Sequence, residues 1–185
     1  MNATETEFLR KIIFGDGWNK GENMAREENR AQDQAKSQLE SIIAMVKRLE
    51  HVQKCDGEDC DLTDREILEG QNLYWTEGQK ATDEDREQYH NEDSAREAID
   101  EDPLSVQVQS GWTAPGDTLE AEEYEILLCT GGPAVRIVGD LHRGSPDSAH
   151  IEYQDWFTPW ETLHGLTSDE ERALLTYAGE FCFEC

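Results

Sequence analysis

The stretch EYEILLCTGGPAVRIVGDL, Glu123–Leu141, decides the fold. Two apolar runs, Glu123–Thr130 and Ala134–Leu141, flank Gly131-Gly132-Pro133. Runs of this length, rich in Ile, Leu and Val and parted by a turn, predict a β-hairpin. Upstream, Leu104, Val106 and Val108 alternate with Ser105, Gln107 and Gln109, the period-two pattern of a half-buried strand. Downstream, His150–Trp156 supplies a further strand. Ser168 and Glu171 then have capping-box spacing, ahead of a last helix carrying Leu174, Leu175, Ala178, Phe181 and Cys182. The expectation is an α+β fold: N-terminal helices, then an antiparallel sheet of about four strands with a C-terminal helix.

The first half of the chain reads as helical. From Glu22 to Lys54 there is neither proline nor glycine, and Leu39, Ile42, Ile43, Val46, Leu49 and Val52 form one apolar stripe. Arg26–Gln38 offers only alanines to that stripe. This predicts a thinly packed extension, or a helix that gains a partner by homodimerising. Residues 4–14, with Phe8, Leu9, Ile12 and Ile13, predict a shorter helix broken at Gly15-Asp16-Gly17. Cys55–Cys60 reads as a turn. Asp61 or Thr63 caps a short helix through Ile67 and Leu68 that ends at Gly70. Asn72–Glu92 is polar and acidic, and Asp93–Asp102 is a short helix stopped by Pro103. The division expected is a helical arm (1–54), an acidic segment (55–103) and the sheet with its last helix (104–185), the latter two able to share one domain.

Charge divides the chain as sharply as pattern does. Of 42 acidic and 16 basic residues, nine of each lie in positions 1–54. The remaining 33 acids and seven bases therefore carry the whole net charge of −26. Such a body repels nucleic acid and anionic membrane, and points to a strongly basic partner. The densest run holds Asp83, Glu84, Asp85, Glu87, Glu92, Asp93, Glu97, Asp100, Glu101 and Asp102. In a helix, Asp93, Glu97 and Glu101 stand one turn apart, with carboxylates about 6 Å from each other. That density is comparable with DNA, which has a phosphate every ~3.4 Å along each strand. With Asp117, Glu120, Glu122 and Glu123, these are the candidate partner-binding residues, suited to face the Lys and Arg side chains of a nucleic-acid channel. The competing reading is a segment that only keeps the protein in solution.

Five cysteines are an odd number, and Phe8–Phe14 is too short and interrupted for a secretory core, so reduced thiols are expected. No apolar run approaches ~18 residues, so no membrane span is expected. Cys55, Cys60, Cys182 and Cys185 form two pairs able to build a zinc site of four thiolates, with His51 as a substitute ligand. Buried or incidental thiols are the simpler reading, and otherwise no cofactor is expected. Asp140, Glu152 and Gln154 echo a metal-nuclease pattern, but the lysine is missing and the net charge repels the substrate. No nucleophile elbow, HExxH or phosphate loop is present, and no enzyme is expected. Trp112, Trp156, Phe157 and Trp160 either anchor a protein partner or, as the preferred reading, close the core at the end of the sheet.

The stretch Leu127–Gly139, followed by Glu152–Trp160, resembles a family of small acidic proteins encoded by phages and prophages; Cys55–Gly70 and Asp93–Gly111 are similar to it as well. The resemblance implies a phage accessory protein in the cytoplasm of a bacterial host. By analogy it implies an inhibitor of host immunity, such as an anti-CRISPR or anti-restriction protein. The expected function is a DNA-mimicking block of a host nucleic-acid-binding defence complex, a CRISPR effector foremost. The alternative is an adaptor or regulator that binds protein without catalysis, stapled by zinc, its acidity only solubilising.

Overall fold

The apolar stripe of the long helix meets the inner face of an antiparallel sheet. The structure, a computed structural model, describes residues 20–55, 57, 60–71, 73–156 and 158–183, with side chains from Arg30 onward. The helix expected over residues 4–14 lies outside the described residues, as do Phe157 and Cys185.

Helix α1, Lys20–Val52, buries Leu39, Ile42, Val46, Leu49 and Val52 as the stripe predicts, with Ile43 partly covered. The alanine-only stretch differs from expectation. Ala31 and Ala35 are buried in the same core as the stripe, and the helix packs on the sheet and on the C-terminal helix. Small side chains there let the backbone come close instead of leaving the helix bare. At Ala31 and Ala35 this face is covered by the chain's own core.

Among the described residues, four further helices and six strands follow: α2 (Asp64–Glu69), α3 (Asp83–Tyr89), α4 (Glu92–Asp100), β1 (Ser105–Ser110), β2 (Ala121–Cys129), β3 (Ala134–His142), β4 (Ser145–Pro146), β5 (His150–Gln154), β6 (Glu161–Thr162) and α5 (Ser168–Ala178). The fold is α+β, as expected. The sheet runs β1-β2-β3-β5-β6, with the two-residue β4 also on β3, and every pairing is antiparallel. Ile126 pairs with Ile137, and Ile137 with Ile151, a buried row facing α1. Glu125, Arg136 and Glu152 stand on the opposite face, since successive residues of a strand alternate.

Strand β1 departs from the half-buried pattern. Val106 pairs with Ile126 and Val108 with Tyr124, so both look to the helix side. Yet α1 lies over β3 and β5, not over this edge, and Val106 and Val108 stay exposed. The last helix is capped by Thr167 with Glu170, one residue earlier than expected. The expected core role of the tryptophans is corrected too. Trp112 is fully exposed and Trp156 is 60% exposed, so neither closes the sheet. Trp160 is partly covered by the Arg136 guanidinium, 4.1 Å above its ring.

Candidate metal centre and acidic groove

Helix α1 ends beside a turn, and that turn brings four ligand-type side chains together. His51 sits in the last turn of α1. Cys55 and Cys60 follow α1, and His90 caps the C-terminus of α3. One ligand atom from each lies within 4.8 Å of all the others, and the group can hold a metal ion. Cys60 Sγ is 3.4 Å from His51 Nε2. A tetrahedral zinc ion, with bonds of about 2.3 Å to sulfur and 2.0 Å to nitrogen, sets its ligand atoms roughly 3.3–3.8 Å apart.

The chemistry of His90 carries this reading. Its Nδ1 lies 2.7 Å from the carbonyl oxygen of Arg86. A carbonyl only accepts, so Nδ1 bears the proton and Nε2 presents a lone pair. That Nε2 is buried and has no hydrogen-bond partner. A buried acceptor left in this state costs about 1–3 kcal/mol, and a cation at the centre of the cluster would offset it. A backbone carbonyl on the far nitrogen is also the usual way a metal-binding histidine is oriented.

Neighbours hold the geometry. Gly57 has φ +94°, and a Cβ there would come within 3.2 Å of the His90 ring, so the Gly57 backbone lies directly over the imidazole. The Tyr89 ring meets both imidazoles edge-on, at centroid distances of 5.9 Å to His51 and 5.2 Å to His90. Arg48, only 5% exposed, donates to the carbonyls of Tyr89 (3.1 Å) and Gln88 (2.7 Å) and to Ser94 Oγ (3.1 Å). It thereby satisfies the C-terminal carbonyls of α3 and ties them to α1. Burial pushes the Cys60 thiol up; the Leu62 backbone N–H opposes this, while Cys55 and Asp61 add to the rise. A divalent cation reverses that preference and favours thiolate.

The four-cysteine ligand set expected from sequence is corrected. Cys55 and Cys60 do belong to the cluster, and His51 joins them. Cys182 is in a disulfide instead, and Cys185 lies outside the described residues. The ring of Phe183 packs 4.9 Å from that of Tyr124 on β2. His90 was missed. Its sequence context is polar, and nothing in it distinguishes this histidine from those at 142, 150 and 164.

Beside this centre, acids from two helices converge. Glu84 and Asp85 of α3, Glu97 of α4 and Glu101, its C-cap, line one groove of about 490 Å³, with Arg48 also in its wall. Asp83, Glu87, Glu92, Asp93 and Asp100 are exposed on the same two helices. Three acids have local duties. Asp85 closes a capping box with Thr82, whose hydroxyl and backbone N–H hold its carboxyl below the usual range. Asp102 accepts the Tyr177 hydroxyl at 2.6 Å, and Glu92 pairs with Arg96 at 3.0 Å. Asp117 and Glu120 are exposed in the β1–β2 connection, and Glu122 and Glu123 at the start of β2. Glu123 pairs with Asp140, on the face of the sheet that α1 does not cover.

Of the nuclease echo, Asp140 and Glu152 line one groove on the uncovered face of the sheet, while Gln154 does not. Glu152 is held by Arg136 at 2.7 Å. Asp140 accepts from Ser148 Oγ at 2.9 Å and lies four residues along the strand from Arg136, about 13 Å. Among the described residues, no helix is long and apolar enough to cross a membrane. No known protein family, curated protein or solved structure matches the chain.

Proposed function

We propose that this chain is a phage-encoded acidic inhibitor, acting by binding and not by catalysis. It occupies the Lys- and Arg-lined surface of a host nucleic-acid-binding defence complex, a CRISPR effector being the first to try. One observation carries the reading: Glu84, Asp85, Glu97 and Glu101 converge on a single groove in a chain of net charge −26. Carboxylates so placed repel one another, and a basic partner relieves that repulsion while releasing the counterions of both surfaces. The test is competition with target DNA for the purified effector over a salt series. Inhibition that weakens steeply with salt, and is lost when Glu84, Glu97 and Glu101 are changed to Lys, is expected. No inhibition across a panel of host DNA-binding nucleases overturns the reading. Binding that persists in roughly 0.5 M salt but fails with Trp112→Ala and Trp156→Ala moves the contact to the exposed tryptophans, and also overturns it.

The metal proposed for the His51, Cys55, Cys60 and His90 cluster is zinc. Two thiolates and two imidazoles suit its borderline-soft character. Four protein ligands close the coordination sphere, so its chemistry there is structural. When bound, it neutralises two thiolates and joins the end of α1 to the α3–α4 corner that bears the acidic groove. Elemental analysis of protein purified without chelator should give one zinc per chain. Zinc-free protein of unchanged melting temperature after zinc addition overturns this assignment.

A further inference from the structure

Among the described residues, strand β1 is bonded on one side only, to β2, and forms an edge of the sheet. Edge strands are normally blunted by charge, proline or a bulge. Here Ser105–Ser110 reads Ser-Val-Gln-Val-Gln-Ser, without a charge or a proline, and its only irregularity is a register shift at the far end, Gln109/Ser110. Leu104, Val106 and Val108 form an alternating apolar row along it, 60%, 37% and 49% exposed. The row continues the buried face of the sheet past the limit of α1. Acids stand at both ends: Asp100 and Glu101 before the strand, and Glu120, Glu122 and Glu123 after it.

We propose that this edge is a docking strand, which takes an extended segment of the partner with apolar residues at alternate positions and Lys or Arg at both ends. The proposal rests on the reading that the partner is basic, and adds where and in what conformation it is gripped. Charge selects this occupant over a second copy of the chain. Because both ends of β1 are acidic, pairing two copies sets acid against acid in either the parallel or the antiparallel sense. An added strand with basic ends meets both clusters. Its alternate side chains lie beside Val106 and Val108, and its backbone takes the open hydrogen bonds of the edge.

The test uses isotope-labelled full-length protein and the synthetic peptide KKVTVTVKK, with the same peptide N-methylated on alternate backbone amides as control. The expected result is slowed amide exchange confined to residues 104–110, with shifted resonances there and at the flanking acids. Affinity should fall at least tenfold for the N-methylated peptide, and likewise for the Val106→Thr/Val108→Thr double variant. Both side chains are exposed, so that variant should keep its melting temperature, which separates lost docking from lost folding. Equal binding of the N-methylated peptide shows attraction by charge alone and overturns the proposal, as does protection elsewhere or none. A dimer in sedimentation that Val106→Lys converts to monomer makes a second copy the occupant, and overturns it too. Glu84→Lys/Glu97→Lys should leave peptide binding intact, whereas it should abolish inhibition of the effector. Failure at the edge is thus distinguishable from failure of the acidic-inhibitor reading.

Discussion

At the scale of single residues, His90 and Arg48 do most to define the candidate centre. His90 Nε2 is a buried acceptor without a partner, so removing it takes away a ligand and also an unsatisfied group. His90→Ala should therefore cost little stability in metal-free protein, yet weaken metal binding by more than the roughly 10–100-fold that outer-shell partners are worth. Titration with cobalt, followed by its thiolate absorption, checks this; unchanged affinity would exclude His90 as a ligand. Arg48→Met behaves in the opposite way. It strips three acceptors of a buried donor and should lower stability by about 3 kcal/mol with or without metal. Chemical denaturation measures it, and a loss seen only in the metal-bound form would contradict this account. The two residues also mark what was legible in the sequence. Cys55 and Cys60 announce themselves by spacing, with His51 one turn before them. His90 does not, because its ligand character comes from a carbonyl one helical turn back and from the backbone of Gly57 packed over its ring.

At the scale of elements, patterns with a strong apolar period were legible, and those held by polar local bonds were not. The Glu123–Leu141 hairpin and the α1 stripe stand where the sequence puts them. Helix α3 was missed because Tyr89 is its only buried residue, which leaves no periodicity to detect. It is organised by the Thr82–Asp85 capping box instead, as α2 is by Thr63–Glu66 and α5 by Thr167–Glu170. The hydroxyl and backbone N–H of each cap hold the carboxyls of Glu66, Asp85 and Glu170 below their ordinary values. A depressed folded pKa contributes stability that is present in full above the unfolded carboxylate range and is lost as pH falls through the folded value. The helices should thus resist acid past the point where ordinary carboxyls protonate. Carbon NMR of these three carboxyls should place their titration below that of the exposed acids. Thr167→Ala should bring Glu170 back toward its usual range and destabilise α5 by about 1 kcal/mol. Titration of Glu170 at an ordinary value in the parent protein would count against the capping box.

At the scale of the whole molecule, salt should act on stability and on binding with opposite signs. The net charge of −26 falls entirely after residue 54, on a body whose core is shared with the inner face of α1. The sheet and the α3–α4 corner carry the self-repulsion, while the near-neutral helix supplies much of the apolar cover. Repulsion among exposed carboxylates is felt over a screening length of ~10 Å at 0.1 M salt and ~3 Å at 1 M. Added sodium chloride should therefore raise the melting temperature by several degrees, since it weakens what opposes compaction. The same salt should weaken any contact between the acidic groove and a basic surface, because each counterion released into a saltier bulk gains less entropy. Melting temperature and affinity for the effector, measured over one salt series from about 20 mM to about 1 M, should move in opposite directions. Were both to rise together, the acids would be serving solubility, and burial of the exposed apolar residues would be driving the contact. Were affinity alone to fall while stability stayed level, the charges would already be neutralised within the fold. Ion pairs such as Arg136 with Glu125 and Glu152 are too few for that, with only seven bases after residue 54 to meet 33 acids, so the opposed slopes are the expected outcome.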